Sequence, residues 1–99
     1  MTPMRFFIDT HDRERETFPA ALSAEQFRDF LAAYEKACQD EGVVLMRVHT
    51  NLDVGRAFCM TLAPDANAVQ RAHARVGLPF DSITEVAAAG PYDIFVAQR

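Results

Sequence analysis

The spacing of apolar side chains changes along these 99 residues, and the order of those changes limits the folds that the chain can adopt. Residues 23–41 carry apolar side chains at steps of three and four, which is typical of an amphipathic helix. In residues 43–51 and 56–63 the pattern of side chains repeats every two residues, so that alternate residues share one face, which is typical of strands. A turn signal at 53–55 joins these two strands into a predicted hairpin.

The remaining elements complete a known order. Residues 5–9 are predicted to form a first strand, residues 66–76 a second helix, and residues 82–88 a last strand, with a further edge strand or extended tail at 92–96. The order β-α-β-β-α-β is that of the ferredoxin-like split βαβ unit. We therefore expect a single α+β domain over residues 1–99, in which an antiparallel sheet carries both helices on one face.

The segment between the first strand and the first helix is long and charged. Residues 10–22 show no usable period. Loops of more than about 12 residues are uncommon in compact domains, and they are more often lids or binding segments than passive connections. A solvated loop without a function is the alternative interpretation.

A sheet that is covered on one face leaves its other face to water, a ligand or a second subunit. We expect the larger apolar residues of the hairpin to face the helices: Val44, Met46, Val48, Phe58, Met60 and Leu62. The open face is then expected to carry Arg47, His49, Cys59 and Thr61.

Composition excludes some classes of partner. Ten basic and fourteen acidic residues give a net charge of −4 at pH 7, which argues against nucleic-acid binding. No apolar run approaches the roughly 20 residues of a membrane span, and Asp9 interrupts the start before a signal peptide could form. We therefore expect a cytoplasmic location. Cys38 and Cys59 are too few for a disulfide framework and lack CxxC spacing, so we expect free thiols. Cys38 lies on the apolar stripe of the first helix and is expected to be buried.

The hairpin suggests a metal site. With the turn centred between its strands, His49 is expected to face Cys59, with the two Cβ atoms about 4.5–5.5 Å apart. One imidazole nitrogen and one thiolate sulfur at that separation can hold a single ion, and they suit nickel, copper or zinc better than calcium or magnesium. Further ligands are expected from Asp9 or His11 in the first strand, from Glu85 in the last strand, or from a second subunit. A register slip of one residue would put His49 and Cys59 on opposite faces.

Other interpretations of these residues stay open. His49 and Cys59 could form a nucleophilic dyad in which the imidazole lowers the pKa of the thiol. The two residues could equally line a subunit interface without any chemistry. His73 lies on the apolar stripe of the second helix, where a packed core histidine competes with a metal ligand.

Several short segments of this chain, taken in order, resemble a known family: Gly42-Val43, Val48-His49-Thr50, Ala57-Phe58-Cys59, Ala63-Pro64, Ala68-Val69, Gly77-Leu78-Pro79, Ile83-Thr84-Glu85-Val86 and Pro91-Tyr92. In these residues the chain resembles the small bacterial family called domain of unknown function 4242, some of whose members are described as nickel-binding proteins with ferredoxin-like folds. The resemblance implies a homodimer of the dimeric α+β barrel type, in which the open sheet face is buried. It also implies that His49 and Cys59 occupy the family's His and Cys positions, and that His73 lies near a histidine of some relatives.

The sequence thus predicts a small cytoplasmic protein that binds a divalent transition metal, most plausibly nickel, through His49 and Cys59. Additional ligands are expected among four residues: Asp9, His11, His73 and Glu85. One alternative is a small-molecule isomerase, cyclase or cofactor-free monooxygenase, with its pocket between the sheet and the helices. Another is a dimerisation or regulatory module without chemistry.

Overall fold

The computed structural model describes residues 3–87 and 90–91, and within them one four-stranded sheet and two α-helices. In chain order the elements are β1 (Arg5–Asp12), a 3-10 turn (Arg13–Arg15), α1 (Ala24–Asp40), β2 (Val44–Asn51), β3 (Arg56–Ala63), α2 (Ala66–Arg75) and β4 (Ser82–Glu85). The strands lie in the order β2-β3-β1-β4, and every neighbouring pair is antiparallel. The expected α+β ferredoxin-like fold is confirmed. The extent of the domain over residues 1–99 stays a prediction.

Both helices begin at side chains that satisfy free backbone N–H groups. The Ser23 hydroxyl accepts a hydrogen bond from the Gln26 N–H at 3.1 Å, and the Gln26 side chain accepts one from the Ser23 N–H at 2.9 Å. This reciprocal pair is a capping box, and it starts α1 at the expected position. The carboxylate of Asp65 accepts from the Ala68 N–H at 2.9 Å and starts α2 in the same way.

The core lies between the two helices and one face of the sheet. Its buried residues come from both layers and from the loops that join them: Phe7, Tyr34, Cys38, Val43, Ala63, Ala68, Val69 and Ala72. Cys38 is fully buried, as its place on the apolar stripe predicts. Polar residues are buried beside this core, and burying such groups is costly unless they find partners.

The expected division of β3 between the two faces is wrong. Cys59 and Thr61 lie on the helix-covered face and are buried, together with Ala57 and Ala63, whereas Phe58 is 38% exposed. Met60 and Leu62 share the open face with Phe58, because side chains alternate along a strand. The expectation assumed that the larger apolar set must face inward. It failed because the open face of this sheet is itself largely apolar.

An irregularity in β2 overturns the expected hairpin register. The pairing shifts between Leu45 and Arg47, so His49 faces Phe58 and Val48 faces Cys59. His49 and Cys59 therefore lie on opposite faces of the sheet, and their predicted side-by-side placement is wrong.

The same shift changes the positions of other β2 residues. Arg47 faces Met60 on the open face. Val48 faces the helices as expected, since it lines a cavity with α1 residues. Val44 and Met46 were expected to be covered by the helices, but they are 51% and 52% exposed.

The two ends of the sheet also differ from expectation. β1 runs to Asp12, three residues further than predicted. β4 ends at Glu85, and the predicted strand at 92–96 lies outside the described residues. Neither helix in the described part of the chain has the length and apolar character of a membrane span.

Candidate metal centre

Three buried side chains converge where α2 crosses β1. Asp9 and His11 are two residues apart in β1 and therefore point to the same, helix-covered face. His73 reaches the same place from the buried side of α2. The Nε2 atom of His11 lies 2.7 Å from Asp9 Oδ2, and the Nε2 atom of His73 lies 2.9 Å from the same oxygen. One ligand atom from each residue lies within 4.8 Å of the other two.

The three side chains are enclosed by protein. Asp9 is 0% exposed, His73 is 1% exposed and His11 is 3% exposed. The two imidazole rings are stacked, with centroids 5.4 Å apart and an angle of 21° between their planes. Aspartate and histidine are rarely buried together without a partner for each charge or lone pair.

The second nitrogen of each ring defines its tautomer. The Nδ1 atom of His11 lies 2.7 Å from the Pro79 carbonyl and 3.2 Å from the Thr17 carbonyl. The Nδ1 atom of His73 lies 2.7 Å from the Val69 carbonyl. Because carbonyl oxygens only accept hydrogen bonds, both Nδ1 atoms must carry the proton and donate. Each Nε2 atom then carries either a free lone pair or a second N–H hydrogen, and both Nε2 atoms point at Asp9.

Two neutral rings in this tautomer would place nitrogen lone pairs against a carboxylate oxygen, and positive charge between these atoms would relieve the repulsion. Protons can supply that positive charge. Burial lowers the pKa of His11, but its hydrogen bond to Asp9 and the charge of Asp9 outweigh burial and raise the pKa above its usual value. Burial raises the pKa of Asp9, yet hydrogen bonds from His11 and His73 hold it below its usual value. A metal ion bound by both Nε2 atoms would serve the same purpose.

The hydrogen bonds to the carbonyls are also those expected of metal-ligating histidines. A ligating imidazole usually donates its other N–H to a carbonyl or carboxylate, which sets the tautomer and the ring orientation. In addition, Asp9 Oδ1 is buried without a hydrogen-bond partner among the described atoms, as is Thr61 Oγ1. An unpartnered carboxylate oxygen costs about 1–3 kcal/mol, and a bound cation would remove that cost. The donor set therefore fits a divalent transition metal.

Two thiols and a phenol lie near the three residues. Cys59 is the cross-strand neighbour of Asp9 on the same face, and its burial and the charge of Asp9 raise the pKa of the thiol well above its usual value. Burial likewise raises the pKa of Cys38 to about 11. The Tyr34 hydroxyl lies 3.3 Å from His73 Nδ1. Neither thiol is activated as the nucleophilic dyad would require, since both pKa values rise.

The other predicted ligands lie elsewhere. His49 is exposed on the open face and faces Phe58. Glu85 is exposed in β4, and its carboxylate is 3.5 Å from the guanidinium of Arg5. The structure thus brings together Asp9, His11 and His73, with Cys59 beside Asp9, and it separates His49 and Glu85 from them. One sequence pattern could have predicted this group: two polar residues on the inward face of β1, and one polar residue on the apolar stripe of α2.

A small cavity lies between α1, the sheet and the segment before α1. Its volume is about 40 Å³, and its lining includes His11, Tyr34 and Cys59 among apolar side chains. Sites for drug-sized ligands usually measure about 300–1,000 Å³. This cavity would not hold such a ligand, but a groove of about 340 Å³ also lies between α1 and β2, so the small-molecule enzyme alternative stays a prediction.

Comparisons with known proteins give two matches. The family model described as "Nickel responsive protein SCO4226-like" matches residues 7–86. The crystal structure of SCO4226 from Streptomyces coelicolor A3(2) is similar, with a TM-score of 0.72 and 27% sequence identity, over 86% of this chain and 99% of that chain. No curated protein matches. The matching model carries this description and not that of domain of unknown function 4242. Its description names a nickel responsive protein, and nickel is also the metal that the resemblance in the sequence implied.

Proposed function

Since the chain belongs to the SCO4226-like nickel responsive protein family, we propose that it binds one divalent transition metal ion, nickel by preference, through Asp9, His11 and His73. The observation that carries the proposal is the orientation of the two rings. Both Nδ1 atoms are held by backbone carbonyls, and both Nε2 atoms converge on one carboxylate whose second oxygen has no hydrogen-bond partner.

The donor chemistry supports a transition metal. Two imidazole nitrogens suit nickel, copper, zinc and iron, whereas calcium and magnesium prefer sites made only of oxygen. Copper binds most nitrogen sites more tightly than nickel does, so a preference for nickel in the cell would depend on geometry and metal availability. The nickel preference rests on the family description, and the location of the site rests on the geometry of this chain.

Cys59 is a further ligand in this proposal. It stands across the strand pair from Asp9, and a cation at Asp9 would lower the pKa that burial and the carboxylate now raise. A role for His49 as a metal ligand stays a prediction, and any such role would be separate from this centre.

Nickel binding to the purified protein tests the proposal. Equilibrium dialysis against Ni²⁺ should give one ion per chain for the wild type and for His49→Ala, which removes an exposed histidine. Asp9→Asn keeps the volume of the side chain but removes its charge, and it should lose the ion, as should His73→Ala. Circular dichroism would show that each variant is folded. Retention of a full nickel equivalent by folded Asp9→Asn would exclude this site.

We also propose that the protein is a homodimer. The support is the open sheet face, where Val44, Met46 and Phe58 are exposed and several half-buried apolar residues lie beside them: Phe6, Ile8, Met60 and Leu62. An apolar sheet face of this kind marks an interaction surface, and a second copy would offer the same residues in return. A cytoplasmic location stays a prediction from the sequence, which has neither an apolar run of membrane length nor a signal-peptide pattern at its start.

A further inference from the structure

The proposed metal centre is closed, so an ion needs a way in. The three ligands are at most 3% exposed, and a hydrated cation cannot reach them unless part of the fold moves. One side of His11 is covered by residues 13–22, which we call the cover segment. Its Thr17 carbonyl lies 3.2 Å from His11 Nδ1, and Phe18, Pro19 and Leu22 line the same small cavity as His11.

The cover segment is held by individual hydrogen bonds and by the buried side chain of Phe18. Apart from the 3-10 turn at 13–15, it has no regular structure. The Thr17 hydroxyl donates to the carboxylate of Asp81 at 2.8 Å and also accepts from the Asp12 N–H at 2.8 Å. Segments held in this way open at lower free energy than packed helices and strands do.

Arg13 joins the cover segment to the hairpin turn. Its guanidinium donates to the carbonyls of Leu52 at 2.8 Å and Asp53 at 3.1 Å in the turn, and to the carbonyl of Pro19 at 3.2 Å in the cover segment. Its backbone N–H donates to the Gly55 carbonyl at 2.8 Å. One side chain therefore ties Pro19 in the cover segment to the turn between β2 and β3.

The turn leaves room for Arg13 only because residue 55 is a glycine. Gly55 has φ +80°, and a Cβ atom placed there would lie 2.7 Å from the Cβ, Nε and Cζ atoms of Arg13. The guanidinium also lies 5.8 Å from the centroid of the Phe18 ring. The hairpin turn and the cover segment are thus packed against each other through Arg13, next to His11.

We infer that the cover segment is a gate, which moves aside when the metal ion enters or leaves, and that Arg13 holds this gate closed. The inference rests on the proposed metal site. None of the hydrogen bonds of Arg13 goes to the three proposed ligands, so its loss should make opening easier without changing the closed site. When exchange requires a rare opening, uptake and release both scale with the population of the open state, whereas the equilibrium affinity depends on the closed state.

Stopped-flow measurements with Ni²⁺ alone test the gate. The chain contains no tryptophan, and Tyr34 lies next to His73, so quenching of tyrosine emission can report nickel uptake. Excess chelator then gives the rate of release. In Arg13→Ala both rates should rise by about tenfold or more, since bonds from a charged donor are lost. The dissociation constant should stay within about threefold of the wild type. Arg15→Ala changes an exposed arginine in the same turn and should leave both rates unchanged.

Arg13→Lys keeps the charge but loses the forked set of donors, and its rates should fall between those of the wild type and Arg13→Ala. It also covers the case in which Arg13→Ala does not fold. If either folded variant takes up and releases nickel at the wild-type rates, the gate proposal is wrong and the ion reaches the site by a different route. These measurements also distinguish an error in the proposed metal site. In that case the wild-type protein would bind no nickel, or Asp9→Asn would bind nickel as well as the wild type does.

Discussion

Nickel should raise the melting temperature of this protein by a large amount, and Asp9→Asn should abolish the effect. The three proposed ligands come from β1 and α2, and His73 is 64 residues away from Asp9 along the chain. Unfolding therefore disperses the site, so the ion binds the folded chain far better than the unfolded one. A ligand that binds only the folded state stabilises it according to its concentration relative to the dissociation constant.

The size of the effect follows from that relation. Free Ni²⁺ at a hundred times its dissociation constant contributes about 2.7 kcal/mol to the free energy of unfolding. In a domain of this length, 1 kcal/mol shifts the melting temperature by about 4–8 °C. The wild type should therefore gain roughly 11–22 °C.

Differential scanning calorimetry, first in chelator and then in Ni²⁺, measures the shift directly. His49→Ala should gain as much as the wild type, because that imidazole is exposed on the opposite face of the sheet. Asp9→Asn should gain less than about 3 °C at the same nickel concentration. A full shift in Asp9→Asn, or its loss in His49→Ala, would refute the assignment of the site.

Three more predictions follow from the same geometry. In chelator, the stability contributed by the raised pKa of His11 is present below about pH 6.5 and is lost as the pH rises through the raised pKa. The nickel-induced shift should therefore grow between pH 6 and pH 8, and calorimetry that shows it shrinking would contradict this reasoning. Cys59→Ser should remove thiolate-to-nickel charge-transfer absorption while Cys38→Ser retains it; equal spectra would exclude Cys59 as a ligand. Sedimentation should show a dimer for the wild type and for Val54→Glu, in the hairpin turn, and a monomer for Phe58→Glu. Identical masses would contradict the proposed interface.

The elements of the fold were predictable because local chemistry defines them. The capping box at Ser23, Asp65 at the start of α2 and the stripes at steps of three and four are features of adjacent residues. Their order along the chain was enough to indicate the antiparallel sheet and the packing of both helices on one of its faces.

The two faces of the hairpin were not predictable by the same means. Phe58 and Met60 are larger and more apolar than Cys59 and Thr61, and a rule that puts large apolar residues inside gives the wrong answer when the outer face is apolar as well. The irregular pairing after Leu45 then shifts β2, which no pattern in its sequence indicates.

The metal centre was predictable only in part. Asp9, His11 and His73 were each candidates, but as additions to His49 and Cys59, which the structure places on opposite faces of the sheet. Their convergence depends on the angle at which α2 crosses β1, and tertiary packing decides that angle. Cys59 was selected for its supposed neighbour His49, whereas the structure places it beside Asp9.

A crystal of the protein grown with Ni²⁺, with diffraction recorded on both sides of the nickel absorption edge, tests the central claim most directly. The account predicts one anomalous peak in each chain, about 2 Å from the Nε2 atoms of His11 and His73 and next to the Asp9 carboxylate. A peak at His49 instead, with His11 and His73 still hydrogen-bonded to Asp9, would contradict the proposed site.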